Sequence, residues 1–314
     1  MKRIVCRLGC SCLAVLLPIF ALPAFAQERG DLNTGVESSA TGTNRFGFSA
    51  GFTGSQQFNT DIDHGGTFSL FRGRFDVGVP VRLNDTMMLD TTLKYQWDAY
   101  DFGNQLDPWG TINTLQPTTI LKMRVSDKVG VFGGATFRFA VEDSTDLGRG
   151  FTAGGLVGAN FAINSNLTLG AGIAYMGQIE NSSRVIPIIT VNWQIADNML
   201  LTAGFLDVAT MGYGAEFSYV VAPKWLASVG VQYHNSRFRL DPSNNVNPDG
   251  VGQESSGTWY ARVSWQPTQY VSVSGFAGLV AGGGLRAEDN HGHKLFDNNY
   301  DTTGMAGAQA SVHF

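Results

Sequence analysis

Beyond residue 12 the chain contains no cysteine, since Cys6, Cys10 and Cys12 are the only three. Everything downstream therefore lacks disulfides, thiolate metal sites and cysteine nucleophiles. Proline is sparse, and no apolar run of about 18 residues follows the first 26, which excludes a membrane-spanning helix there. No stretch carries helical periodicity. No Gly-rich phosphate loop opens a helix, because Gly282-Gly283-Gly284 lies inside a strand pattern with no helix after it. Basic residues are also in deficit. Leaving out Lys2, Arg3 and Arg7 of the first 26 residues, 18 bases face 26 acids, a net charge of about −8 that disfavours nucleic acid as a partner.

Those first residues have their own logic. A basic start, an apolar stretch from Leu13 to Leu22 and small residues in Ala24-Phe25-Ala26 describe a secretory signal over 1–26, cut before Gln27. The apolar stretch is too short for an anchor and holds Pro18 and Pro23. Residues 27–44 lack hydrophobic pattern and read as a disordered periplasmic lead.

From residue 45 to the end the chain alternates with period two, the signature of strands with one apolar and one polar face. One face carries Phe71, Phe75, Val77, Val79 and Val81, then Leu89, Leu93, Tyr95 and Trp97; the other carries Arg72, Arg74 and Asp76, then Asp90, Lys94 and Asp98. Three features make the apolar face a lipid contact. Short turns such as Asn84-Asp85 and Pro223-Lys224 alternate with long polar connections such as Thr53 to Gly65, Gly103 to Thr111, Asp241 to Ser255 and Asp289 to Asp301. Aromatics on the apolar face fall into two bands: Phe161, Trp193, Tyr219, Trp225, Trp265 and Phe314 near the short turns, and Trp97, Phe139, Phe151, Tyr175, Tyr213, Tyr233 and Trp259 toward the long loops. The last segment alternates through Ala306, Ala308, Ala310 and Val312 and stops on Phe314, resembling the assembly signal that the barrel-assembly machinery reads in outer-membrane proteins.

The pattern predicts an all-β, antiparallel up-and-down transmembrane barrel over 45–314, with 14 strands, or 12 if 198–206 and 212–222 do not form. Asn235, Arg237 and Arg239 keep the lipid-facing parity of their strand, so either that strand leaves the bilayer near Tyr233 or a bulge resets it. Pro117 and Pro187 are expected near strand starts.

The runs RVIPIITVNWQIADNMLL from Arg184, GAEFSYVVAPKWLASVGVQY from Gly214, FRLD from Phe238 and GTWYARVSWQPTQYVSVSGFAGLVAGGGLRAED from Gly257 resemble a family of bacterial outer-membrane β-barrels known only as a domain of unknown function. The resemblance implies a barrel, and brings no catalytic or binding residues with it.

The candidate functional residues are those expected to line the lumen: Arg72, Arg74, Lys94, Lys122, Arg124, Arg138, Arg262 and Arg286 against Asp76, Asp90, Asp98, Glu216 and Glu288. Five of the eight bases come from the second to fourth segments, which makes one wall basic and favours small anions if the lumen is open. Mixed signs equally permit a salt-bridged, sealed interior. An enzyme would need a histidine paired with a serine or carboxylate. His64, His234, His291, His293 and His313 are the histidines available; His291 and His293 lie in a polar loop beside Asp289 and Asp297, and no serine motif accompanies them. The expectation is a passive pore for small solutes or ions, with a closed barrel acting through its outer loops as the alternative. No catalytic residue, metal or cofactor is assigned. The partners expected are membrane lipid and the barrel-assembly machinery, and the chain is expected to act as a monomer.

Overall fold

The computed structural model describes residues 46–63, 65–103, 107–244 and 246–314. The signal and lead assigned to 1–44 lie outside the described residues, as does His64.

The described residues fold into fifteen strands and one short turn of 3-10 helix: β1 Ser49–Asp61, β2 Thr67–Asn84, β3 Met87–Gly103, β4 Thr111–Arg124, β5 Val129–Glu142, β6 Phe151–Asn164, β7 Leu167–Gln178, β8 Asn181–Ala196, β9 Met199–Asp207, β10 Met211–Ala222, β11 Trp225–Arg239, β12 Val251–Thr268, β13 Val271–Glu288, β14 Lys294–Tyr300 and β15 Thr303–His313, with the helix at Leu147–Gly150. From β1 to β14 each strand pairs antiparallel with the next, and β15 pairs with both β13 and β1, closing the ring. β14 and β15 share one place in the wall: β13 meets β14 above Gly283 and β15 below Val280. The barrel is therefore closed, antiparallel and 14-stranded, and β9 and β10 form despite their shortness.

Alternation places the apolar set outside. Val185, Ile189, Val229, Trp259 and Val263 are each at least half exposed, which water would not tolerate over a continuous belt and lipid requires. Short turns close the end at which Phe314 lies, where Trp225 stacks on Trp265 and Tyr270 on Phe314.

Three segments differ from the sequence expectation. β1 runs to Asp61, through most of the expected Thr53–Gly65 loop, because its polar residues Thr53, Ser55 and Gln57 are inward-facing and buried; polarity there marks lumen, not loop. β12 begins at Val251 inside the expected Asp241–Ser255 loop, and β14 forms inside Asp289–Asp301. Pro117 and Pro187 lie within strands: Pro117 interrupts the β4–β5 ladder, which has no pairs between Leu115 and Thr118, and Pro187 sits on a part of β8 that β9 does not reach.

Candidate functional site

The interior is the candidate site, and its half toward the long connections is filled. Inward-facing Phe68 and Leu70 of β2, Ile112 of β4, Phe238 of β11 and Leu285 of β13 pack around Trp109, all essentially without exposure. Trp109 meets Phe238 edge-on at 5.2 Å and lies parallel to Phe296 at 6.1 Å. The upper part of β11 leans across the mouth, where Arg239 forms a parallel bridge to Val141 of β5, six strands away round the wall. The β11–β12 ladder keeps its register through Arg239, so no bulge resets its parity. Instead Arg237 binds Glu288 at 2.6 Å and Arg239 binds Glu180 at 2.6 Å, both among outer loops above the apolar belt. Glu142 fastens the next loop by accepting from the Asp241 and Gly110 amides, each at 2.8 Å.

Below this stopper lies a layer of buried charge. Arg72 donates to Asp98 at 2.7 Å and to Glu254 at 3.1 Å. Glu254 also accepts from Ser256 and Tyr300, each at 3.1 Å, and faces His234 Nε2 at 3.2 Å. The other ring nitrogen of His234 lies 3.0 Å from the Met211 carbonyl. Arg138 crosses from β5 to β11, donating to Ser236 at 2.7 Å and to the Arg237 carbonyl at 2.6 Å.

A third feature enters from the side. The turn joining β9 to β10 points into the lumen, and Val208, Ala209 and Thr210 are buried there. Arg74 of β2 donates to the Asp207 carbonyl at 2.8 Å, Gln309 of β15 reaches the same oxygen at 3.3 Å, and Lys94 of β3 pairs with the Asp207 carboxylate. Gln232 holds the turn from behind, accepting from the Ala209 amide at 3.0 Å. Gly204 supplies the bend with φ of 140°, a conformation that costs other residues dearly.

The remaining candidates are arranged as follows. Asp90 and Lys122 pair at 3.1 Å, half-buried toward the short turns, and Arg262 pairs with Glu216, which also accepts from Tyr260 at 2.9 Å. Asp76 is half-buried on the inner face of β2. Arg124 is exposed at the rim that carries the short turns, donating to the Asp85 carbonyl at 2.9 Å. Arg286 is turned to the outer face, where it binds Asp297 at 3.0 Å; a register shift opposite Ser255–Gly257, with Gly282 at φ of 61°, inverts β13 above that point. Glu288 is inverted with it and serves Arg237. Tyr213, expected in the outer aromatic band, meets Phe205 edge-on at 5.6 Å, and Lys94 lies 5.5 Å from the Phe205 ring, so this pair borders the interior. Sequence reasoning missed Glu254, His234, Asp207 and Trp109. The first two continue the inner parity of their strands; nothing in the local pattern marks the other two.

Among the described residues no three His, Cys, Asp or Glu side chains cluster as a metal site. His293 Nδ1 contacts Asp289 at 3.0 Å on the surface, and the amides of His291 and His293 both bind Asp289 at 2.8 Å. These amide bonds, above all that of His293, hold the Asp289 carboxyl down to about 2.

Fold and interior define a closed transmembrane-type β-barrel with an internal stopper. No family model and none of the curated proteins matches the chain. Among solved structures it is similar to an outer-membrane channel from Pseudomonas putida F1 (10% identity, covering 89% of this chain and 100% of that one, TM-score 0.47). Others are the TodX monoaromatic hydrocarbon channel (8%, 87% and 91%, 0.48) and a Pseudomonas aeruginosa FadL homologue (12%, 85% and 89%, 0.43).

Proposed function

We propose that the chain is an outer-membrane channel for small solutes or ions, closed in the described state by the apolar stopper and the inward β9–β10 turn. The observation that carries this reading is the buried charge layer. A barrel meant only to be solid is served as well or better by apolar filling, because desolvating Arg72, Asp98 and Glu254 costs several kcal/mol per ion before pairing offsets it. Ion pairs that rehydrate when a plug withdraws lose little, so a charged layer under a removable stopper suits an interior that opens. Arg72, Arg74, Asp76, Asp90, Lys94, Asp98, Lys122, Arg124, Arg138, Glu216 and Arg262 then line the pathway, and Arg286 does not. Export by the N-terminal signal, assembly through the strand ending in Phe314, a monomeric state and membership of the uncharacterised barrel family belong to the same reading.

The filled extracellular half favours a second reading, a permanently closed barrel working through its loops. Reversal potentials of refolded protein in planar bilayers separate the two. The channel reading expects stepwise conductance whose selectivity moves toward cations in the Arg72→Ala, Arg74→Ala variant, since Asp98 and Glu254 then dominate the layer. A folded barrel that never conducts, in either form, favours the closed reading.

A further inference from the structure

The inward turn of β9 leaves a break in the wall. The β8–β9 ladder ends at Val191 and Ala203 after five pairs, whereas β8 runs on to Asn181 and β9 to Asp207. Every other neighbouring pair round the full wall is held by nine or more register pairs, counting β14 with β15. Pro187, which lacks a donor, lies on the unpaired length, as proline does on strand edges.

Beside this break is a cavity of about 360 Å³, within the usual range of small-molecule sites. Its inner wall presents Ile120, Phe132, Leu156 and Ile188, and the bent hairpin closes it with Phe205 and Tyr213. Val191, Ala203 and Gly204, the residues at which the ladder stops, line it as well, so it reaches the break. Its polar groups are neutral, Asn160, Thr190, Asn192 and Thr202 among them, apart from Lys122, which Asp90 already neutralises. Apolar walls with a few uncharged donors and acceptors suit an uncharged molecule with an apolar body and one hydroxyl or carbonyl, and the break gives it a path from the bilayer.

We propose that this cavity is a binding site for small uncharged amphipathic molecules, entered from the lipid between β8 and β9. The site goes beyond the channel reading, and either can fail alone. The test uses the refolded full-length mature barrel in phospholipid vesicles, photolabelled with 3-azioctanol and mapped by mass spectrometry. Labelling of Phe132, Leu156, Ile188 and Phe205 is expected to saturate and to be displaced by octanol, whereas Val229 and Val263 on the lipid face label without saturation. Leu156→Trp, which fills the cavity, is expected to lower the saturable labelling about tenfold. So is an oxidised Ile188→Cys, Leu206→Cys staple, with recovery on reduction; should that disulfide not form, Ile189→Trp, on the lipid-facing side of the same length of β8 and outside the cavity lining, obstructs the opening. Labelling of the inner residues that neither saturates nor responds to Leu156→Trp overturns the site. Saturable labelling that persists with the opening obstructed overturns the lateral entry. Conductance measured on the same preparation reports on the channel reading independently.

Discussion

The guanidinium of Arg74 on β2 donates to the main-chain carbonyl of Asp207, 2.8 Å away, at the tip of a hairpin rooted on the diametrically opposite side of the barrel, seven strands off. One side chain thus ties a plug to the wall it faces. Removing a hydrogen bond to a charged group costs about 1.5–3 kcal/mol. Arg74→Ala should therefore raise maleimide modification of a Val208→Cys reporter about tenfold or more, with the barrel still folded. Unchanged modification would mean that Gln232, Lys94 and Gln309 hold the turn without it.

Arg72 bridges Asp98 and Glu254 with all three side chains buried. Arg72→Met should destabilise the barrel by about 3–5 kcal/mol in guanidinium unfolding, because it leaves two buried carboxylates facing each other. Adding Glu254→Gln should return part of that loss. Additive losses would show that the residues do not act as one cluster.

Tyr300 lies over Gly283, whose added Cβ would fall 1.9 Å from the ring, and its hydroxyl bonds Glu254. Gly283→Ala should displace the ring, costing about 1–3 kcal/mol from overpacking. The variant should be less stable than one carrying Gly275→Ala, where the added Cβ meets nothing within 4 Å. Equal stabilities would contradict the packing described.

Asp289 is held down to about 2 by amide bonds from the β13–β14 loop. A depressed carboxyl contributes order that is complete above its ordinary value of 3.8 and lost as pH falls toward 2. The carboxyl carbon shift of Asp289 should titrate near 2. A midpoint near 4 would mean that the loop does not hold these bonds in solution.

Much of the architecture was legible in the sequence, because a barrel imposes period two on every strand and a lipid belt makes one parity apolar. The ring of fourteen strands and the periplasmic turns follow from that rule. The rule failed where it is locally broken. Alternation does not show the full length of β1, because Thr53, Ser55 and Gln57 face a packed lumen and carry no hydrophobic signal. Arg286 keeps the inner parity in sequence but faces outward, because one added residue near Gly282 inverts parity and a bulge has no periodic signature. Trp109 lies in a connection and Asp207 at the last position of β9, so their places in the stopper and in the inward turn depend on contacts over long sequence separations that alternation does not encode.

Single-channel recording of the refolded mature barrel, with and without Trp109→Ala, tests the central claim most directly. Trp109 is 1% exposed at the centre of the stopper, and replacing such a side chain by alanine removes about 3–5 kcal/mol of packing. The account predicts rare, brief openings in the unmodified barrel and frequent, longer ones in the variant. Silence from both, in protein shown to be folded by heat-modifiable migration, would contradict it.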